Sequence, residues 1–119
     1  MGFTDAIKHG FSNYVNFEGR AARSEYWYWI LFVVIVAVVL TIIDAKVIGA
    51  QVTEGLFSLA TLLPGIAVGA RRLHDTDRSG WWLLIGFIPL IGGILLIVWF
   101  VTAGTPGANR FGPPAPTTA

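Results

Sequence analysis

Residues 71–82 read Arg-Arg-Leu-His-Asp-Thr-Asp-Arg-Ser-Gly-Trp-Trp and form the densest run of charge in the chain. Long uncharged segments lie on both sides of this run, over residues 56–70 and 81–101. A single Arg or Asp at the centre of a bilayer costs roughly 2.5 to 3.5 kcal/mol on insertion scales. If the flanking segments cross a membrane, the charged run must stay in water or among lipid headgroups. We therefore predict that residues 71–80 form a cytoplasmic loop held in water or at the level of the lipid headgroups.

The composition favours a membrane protein over a soluble one. The chain has 119 residues, enough for one domain, and is 55% hydrophobic and only 13% charged, whereas about a quarter of residues are charged in soluble domains. A net charge of +1 gives no indication of nucleic-acid binding. There is no Cys, which excludes disulfides, thiolate catalysis and Cys-ligated metal sites. The first apolar run is too long and too far from the start for a cleavable signal peptide, so we expect it to be retained.

The first apolar run has the length of a membrane span. Residues 26–43 carry no charge over 18 residues, and as a helix they would extend about 27 Å, close to the bilayer core of about 30 Å. Ser24 can cap this helix, with Glu25 in its first turn. Four aromatic residues crowd one end, as aromatics at a membrane interface do: Tyr26, Trp27, Tyr28 and Trp29. A buried helix of a soluble protein could be equally apolar, but a chain of this length has too few other residues to cover three such helices.

Residues 56–70 and 81–101 are predicted as the second and third transmembrane helices. Small residues interrupt both, and their spacing lets helix backbones approach closely within the chain. The glycines expected to pack helices together are Gly65, Gly69, Gly86 and Gly93. On a straight third helix Trp82 and Trp99 would lie about 26 Å apart, at opposite interfaces. A re-entrant hairpin turning at residues 89–93 is the alternative.

The two ends of the chain are more polar. Residues 3–17 have the spacing of a short amphipathic helix, whose apolar stripe lies either in the membrane interface or against the protein's own helices. Residues 102–119 are rich in Gly, Pro, Thr and Ala, and by composition we expect an extended or disordered tail. The predicted fold is an all-α bundle of three transmembrane helices with an N-terminal interfacial helix and an irregular tail.

The distribution of cations predicts the orientation. Six of the eight Lys and Arg residues precede the first span or lie between the second and third. Lys46 and Arg110 are the two on the other side. The positive-inside rule then puts the N-terminus in the cytoplasm. With three spans, the C-terminus would be on the opposite side.

Three segments resemble a known family. They are residues 17–27 (Phe-Glu-Gly-Arg-Ala-Ala-Arg-Ser-Glu-Tyr-Trp), residues 71–82, and residues 104–113, which include Gly-Thr-Pro-Gly and Asn-Arg-Phe-Gly-Pro. Together, and in this order, they resemble the YhaH-like family of small bacterial inner-membrane proteins, a family of unknown function. The resemblance implies a bacterial cytoplasmic membrane location and supplies no catalytic residues. It also implies that residues 109–113 are held against the protein, whereas composition alone predicts disorder.

His74, Asp75 and Asp77 are the candidates for chemistry. Carboxylates spaced as Asp-x-Asp can hold a divalent cation, and a neutral His can ligate a metal or move protons. The structural alternative, which we favour, is that Asp77 or Ser79 caps the third span and that Asp75 pairs with a nearby Arg. No phosphate-binding loop, nucleophile elbow or zinc-protease motif accompanies them. We therefore predict no metal, no cofactor and no enzymatic activity.

Five arginines are predicted to share the cytoplasmic face: Arg20, Arg23, Arg71, Arg72 and Arg78. At the least they set the orientation and attract anionic lipid. They could also form a defined site for a headgroup or phosphate. We expect an accessory or scaffold protein that binds anionic lipid, a protein partner or a second copy of itself. The alternatives are a membrane-embedded enzyme, or a small oligomeric transporter, that uses the loop of His74, Asp75 and Asp77.

Overall fold

The computed structural model describes residues 2–115, which form helices in the order α1 (Phe3–Ser12), α2 (Arg23–Ile43), a π-helical turn (Asp44–Ile48), α3 (Thr53–Asp75), a 3₁₀ helix (Gly80–Phe87) and α4 (Ile91–Val101). Within this range there is no β-strand, only an isolated bridge between Asn109 and Gly112. The predicted all-helical class is confirmed. The last part of the predicted tail, residues 116–119, lies outside the described residues.

Two of the described helices, α2 and α3, are long and apolar enough to cross a bilayer. They contain the predicted spans 26–43 and 56–70 and extend beyond them. Many apolar side chains of α2 point outward: Val34, Val38 and Ile42 are 52%, 53% and 54% exposed. The central helix of a water-soluble protein would be buried, and extensive exposed apolar surface marks contact with a membrane or a partner. The surface of α2 is therefore suited to lipid.

A buried carboxylate fixes the connection between α2 and α3. Asp44 Oδ1 accepts hydrogen bonds from the Thr53 backbone N–H at 3.1 Å and from its hydroxyl at 2.7 Å. Asp44 Oδ2 accepts one from the Glu54 N–H at 3.0 Å. These N–H groups begin α3 and have no partner inside the helix. Asp44 thus caps α3 from across the turn and holds the two helices side by side.

The prediction of one continuous helix over residues 81–101 is wrong. The chain reverses between the 3₁₀ helix and α4, where Leu90 has φ +67° and the Ile91 N–H donates to the Pro89 carbonyl at 2.8 Å. The ring centroids of Trp82 and Trp99 lie 5.7 Å apart, so these residues are at the same end of the molecule. Each half extends only about 16 Å, roughly half of a bilayer core. The geometry is that of the re-entrant alternative, with the turn at residues 88–90.

The four glycines expected at helix contacts have different surroundings: Gly65, Gly69, Gly86 and Gly93. A Cβ at Gly69 would lie 3.4 Å from Leu83, so this glycine lets the hairpin approach α3. Gly65 faces a side chain of α2, and Gly86 faces one of α4. Gly93 has open space around it. Its neighbour Gly92 makes the close contact, because a Cβ there would collide with the Ile85 carbonyl.

Helix α1 is shorter than the predicted 3–17 and packs on α2. Ala6 and Gly10 are its buried residues, and a Cβ at Gly10 would overlap the indole of Trp29. The ring of Phe11 meets that indole edge-on, with centroids 5.1 Å apart. Of the two expected surroundings for the apolar stripe, the protein's own helix is the one seen here. The turn at residues 13–16 ends the helix.

Candidate functional site

Three charged segments, residues 17–27, 71–82 and 104–113, converge at one end of the molecule. Residues 71–75 form the last turn of α3, and all five are buried. The prediction of a solvated loop over 71–80 is therefore wrong for residues 71–75, and only 76–79 form a connecting turn. The reason is tertiary: partners from distant parts of the chain neutralise these charges, so they need no contact with water.

Asp75 is the centre of a charge cluster, which consists of Arg20, Arg72 and Asp75. Its Oδ1 accepts a hydrogen bond from Arg20 Nε at 2.9 Å, and its Oδ2 accepts one from Arg72 Nη1 at 2.6 Å. The side chains of all three residues are at least nine-tenths buried. The expected pairing of Asp75 is found with Arg72, and the second partner, Arg20, lies 55 positions away in the sequence. Both carboxylate oxygens are used, so this carboxylate serves as the counter-ion of two guanidinium groups.

Arg20 holds the C-terminal segment in place. Its Nη1 donates to the Gly107 carbonyl at 2.6 Å, and its Nη2 donates to the Thr105 carbonyl at 2.5 Å. The Thr105 N–H in turn donates to the Asp75 carbonyl at 2.7 Å. Gly107 has φ +68°, which lets the chain turn toward Arg20. The expectation of a disordered tail is wrong for this segment, because its carbonyls are ligands of a buried guanidinium.

Arg72 binds backbone carbonyls at the end of α4 and just before α2. Its Nε donates to the Phe100 carbonyl at 3.1 Å and its Nη2 donates to the Thr102 carbonyl, both at the end of α4. Its Nη1 also donates to the Ala21 carbonyl at 3.1 Å, just before α2. The last carbonyls of a helix lack partners within it and carry partial negative charge. One guanidinium therefore joins the end of the hairpin to the start of α2.

A second ion pair lies beneath α1. Arg71 Nη1 is 2.5 Å from Glu25 Oε2, and His9 Nδ1 is 2.7 Å from the same oxygen. Glu25 and Arg71 are almost completely buried. Among residues 2–115, Glu25 Oε1 and Arg71 Nε and Nη2 have no hydrogen-bond partner. This pair is therefore less fully compensated than the one around Asp75, and it ties α1 to both long helices.

The residues proposed for metal chemistry do not converge. Asp75 is paired as described above, Asp77 Oδ1 forms an exposed pair with Arg110 Nε at 3.3 Å, and His74 Nδ1 lies 2.8 Å from the Gly19 carbonyl. In the part of the chain that the structure describes, no three His, Asp or Glu side chains are grouped to hold a metal. Ser79 accepts from the Trp81 N–H and caps the 3₁₀ helix, one of the two caps expected.

His74 is covered by the tail. Its ring stacks on Phe111, with centroids 4.0 Å apart and an interplanar angle of 3°. The Asn109 side-chain amide donates to the His74 carbonyl at 2.9 Å. Residues 109–111 are therefore held against the protein, as the family resemblance implied. Sequence spacing alone could not find this contact, because Asn109 and His74 are 35 positions apart.

The five predicted arginines divide into two groups. Arg20, Arg71 and Arg72 are buried among internal partners. Arg23 is exposed and lies against the end of α4, 3.4 Å from the Val101 carbonyl. Arg78 is half-buried, and its guanidinium lies 4.8 Å from the centroid of the Trp99 ring. Only the second group can meet a ligand without opening the cluster.

The sequence of the chain matches a recognised family. The model described as "Protein of unknown function (DUF805)" matches residues 14–113. The chain belongs to the DUF805 family. It is 50% identical over 107 residues to inner membrane protein YhaH of Escherichia coli K12, covering 85% of this chain and 88% of that protein. It is 48% identical over 102 residues to inner membrane protein YhaI of the same strain, covering 84% and 86%.

A more distant relative is the uncharacterized protein YiiR of Escherichia coli K12, at 31% identity over 90 residues, covering 75% of this chain and 55% of that one. No solved structure matches this chain. The DUF805 match and the outward-facing apolar helices together identify a membrane protein. The matched range begins after α1 and contains Arg20, Arg72, Asp75 and the docked tail. The charge cluster thus lies entirely within the DUF805 region.

Proposed function

We propose that this protein is a multi-pass protein of the bacterial inner membrane that acts as a non-enzymatic scaffold and binds anionic phospholipid through Arg23 and Arg78. The observation that carries the proposal is the position of these cations. Both lie at the end of the hairpin, where Arg78 covers the Trp99 ring and Trp82 packs against the same ring. Aromatic residues favour the headgroup level of a bilayer, and nearby cations attract anionic lipid.

The proposed topology has two full spans, α2 and α3, followed by the re-entrant hairpin. Contact between Arg20 and Gly107 supports placing the segments before α2 and after α4 on one side of the membrane. This replaces the prediction of termini on opposite sides, which assumed that residues 81–101 cross the membrane. Seven of the eight cations then lie on one side, and only Lys46 lies at the other end. The positive-inside rule makes that side cytoplasmic. In this topology α1 rests at the cytoplasmic headgroup level while packed on α2.

The scaffold role is favoured by how the polar residues are used. Asp75 serves as an internal counter-ion, and Asp77 pairs with Arg110 at the surface. A membrane-embedded enzyme that used these carboxylates with a metal would first have to break those pairs. An oligomeric transporter would need a polar path along the spans, whereas the buried charges near the hairpin are gathered at one end. Solute flux in liposomes would support the transporter instead.

Lipid exchange tests the proposal directly. We would reconstitute the protein with mixed phosphatidylcholine and phosphatidylglycerol and quantify the lipid retained by native mass spectrometry. Each cation near an anionic surface contributes about 1 kcal/mol, so Arg23→Gln with Arg78→Gln should lower the preference for phosphatidylglycerol by more than about tenfold. Lys46→Gln, the matched loss of one cation at the opposite end, should change nothing.

Neither Arg23 nor Arg78 belongs to the buried cluster, so the double variant should stay folded in zwitterionic detergent and lose at most about 1–2 kcal/mol of stability, from the Arg23–Val101 and Arg78–Trp99 contacts. An unchanged lipid preference in a folded double variant would refute anionic-lipid binding at this site. A loss per cation removed that is as large in Lys46→Gln as in the double variant would also refute it, because the effect would then follow net charge and not position.

A further inference from the structure

A cavity of about 510 Å³ opens between α3, the 3₁₀ helix and the segment before α2. Its apolar wall includes Phe17, Ile66, Trp81 and Leu84, and two polar side chains, His74 and Ser79, also border it. Binding sites for small molecules commonly have volumes of about 300–1,000 Å³ and a mostly apolar lining with few polar groups. The cavity is large enough to hold part of an apolar molecule.

His74 presents a hydrogen-bond acceptor here. Its Nδ1 lies 2.8 Å from the Gly19 carbonyl, and because a carbonyl only accepts, Nδ1 must carry the proton. In the neutral ring Nε2 is then an acceptor. His74 is 8% exposed, and within residues 2–115 Nε2 makes no hydrogen bond and does not count among the fully buried unpaired atoms, so it is accessible from the cavity. A Cβ at Gly80, which also lines the cavity, would lie 3.5 Å from Nε2, so this atom is on the cavity side of the ring.

Ser79 presents the complementary donor. Its Oγ accepts from the Trp81 N–H at 3.3 Å. Within the described range its own O–H has no acceptor. Ser79 is half-buried, so this O–H is accessible to a molecule in the cavity. The cavity therefore offers one acceptor and one donor in an otherwise apolar surrounding.

We propose that this cavity binds a lipid-soluble alcohol or phenol, a molecule with one hydroxyl group on an apolar body. A hydroxyl both donates and accepts, so it can pair with His74 Nε2 and with the Ser79 O–H. No Lys or Arg is among the described residues that line the cavity, so a phosphate or carboxylate would enter without a compensating charge from them. Trp81 is 78% exposed and Leu84 is 54% exposed, which gives the ligand an entry from the surrounding bilayer. This site is separate from the anionic-lipid contact proposed for Arg23 and Arg78.

Photolabelling tests the proposal in phosphatidylcholine nanodiscs. The probe is a dodecan-1-ol that carries a diazirine on its chain, and the matched probe is its methyl ether, which has lost the donor. Peptide mass spectrometry should locate saturable labelling by the alcohol in residues 66–84. One neutral hydrogen bond contributes about 0.5–1.5 kcal/mol net, so the ether should label about two- to tenfold less.

Variants then test the two features of the cavity. His74→Asn can keep a donor to the Gly19 carbonyl but removes Nε2, so it should reduce alcohol labelling about two- to tenfold and leave ether labelling unchanged. Ile66→Trp should fill the cavity and abolish labelling by both probes. Its matched control is Leu59→Trp, which lies on the same helix, is 70% exposed and does not line the cavity.

Equal labelling by alcohol and ether would overturn the proposal, because acyl chains of any kind would then fill the cavity. Full alcohol labelling of a folded His74→Asn protein would overturn it as well. If His74→Asn does not fold, the comparison of Ile66→Trp with Leu59→Trp still decides whether the saturable labelling occurs in this cavity. Equal alcohol labelling in those two variants would refute the location.

Discussion

Replacing Asp75 by Asn removes the counter-ion of two buried guanidinium groups. Arg20 Nε and Arg72 Nη1 lie 2.9 and 2.6 Å from the two carboxylate oxygens, and both arginine side chains are at least 98% buried. Asparagine has nearly the same volume but presents one acceptor, the amide oxygen, and one donor, the amide NH₂ group. The variant therefore leaves two cations without a compensating charge and points a donor at one of them.

The expected loss of stability is large. Removing one partner of a buried ion pair destabilises a protein by about 3–5 kcal/mol. Charge-assisted hydrogen bonds contribute about 1.5–3 kcal/mol each, and two of them depend on this carboxylate, so the two estimates agree. We expect the free energy of unfolding of Asp75→Asn to fall by about 3–5 kcal/mol, measured by reversible unfolding in mixed micelles followed by tryptophan fluorescence.

Asp77→Asn is the matched control. It is the same substitution two positions later, in a pair with Arg110 whose side chains are 47% and 62% exposed. Exposed ion pairs contribute about 0–1 kcal/mol, so this variant should lose less than about 1 kcal/mol. A loss in Asp75→Asn as small as that in Asp77→Asn would refute the view that the cluster stabilises the fold.

Limited trypsinolysis would show where the stability is lost. Arg110 lies in the docked segment that Arg20 and the Asp75 carbonyl hold. Cleavage of a folded protein follows the population of the locally opened state when opening is fast. If only 1.4 kcal/mol of the loss concerns tail docking, cleavage after Arg110 should become about tenfold faster. An unchanged rate in a destabilised Asp75→Asn protein would mean that the tail does not depend on this carboxylate.

Two further predictions concern packing and topology. Gly10→Ala should cost roughly 1–3 kcal/mol in the same unfolding assay, because its Cβ would overlap the Trp29 indole; Gly55→Ala, where the space is open, should be neutral or stabilising by up to about 1 kcal/mol. Because the native chain has no Cys, single cysteines report topology. Ala50→Cys should react with a membrane-impermeant maleimide in intact cells, and Ala108→Cys should react only after permeabilisation. A reaction of Ala108→Cys from outside would contradict the re-entrant topology.

The helices were predictable to different degrees. Residues 26–43 were found from length and hydropathy because lipid imposes a minimum apolar length on any helix that crosses it. The end of α3 was missed because residues 71–75 are charged, and charge normally predicts a solvated loop. The reversal of the chain within the third apolar run could not be predicted from the Gly and Pro content of that run. Those residues are compatible with a kinked span as well as with a hairpin.

The candidate site was only partly predictable. A pairing of Asp75 with a nearby Arg was expected and is found with Arg72, which lies in the same helical turn. Arg20 was expected at the lipid surface, yet it is buried, with partners 55 to 92 positions away in the sequence. The docking of residues 109–113 came from the family resemblance. Composition predicted disorder, because the backbone carbonyls that Arg20 binds are present in every residue and leave no mark on the amino-acid composition.

By itself the sequence predicted a membrane protein: the long apolar runs and sparse charge favour lipid around the helices that became α2 and α3, since exposing so much apolar surface to water is unfavourable. The sequence also predicted that most cations lie on one side, because the positive-inside rule concentrates Lys and Arg on the cytoplasmic side of a membrane. Only the tertiary structure decided which charges face outward. Arg20, Arg72 and Asp75 are paired with one another and with backbone carbonyls, and the hairpin brings residues 104–112 back to the same end. Ion pairs between distant positions leave no periodic pattern in a sequence, so their location depends on how the chain folds back on itself.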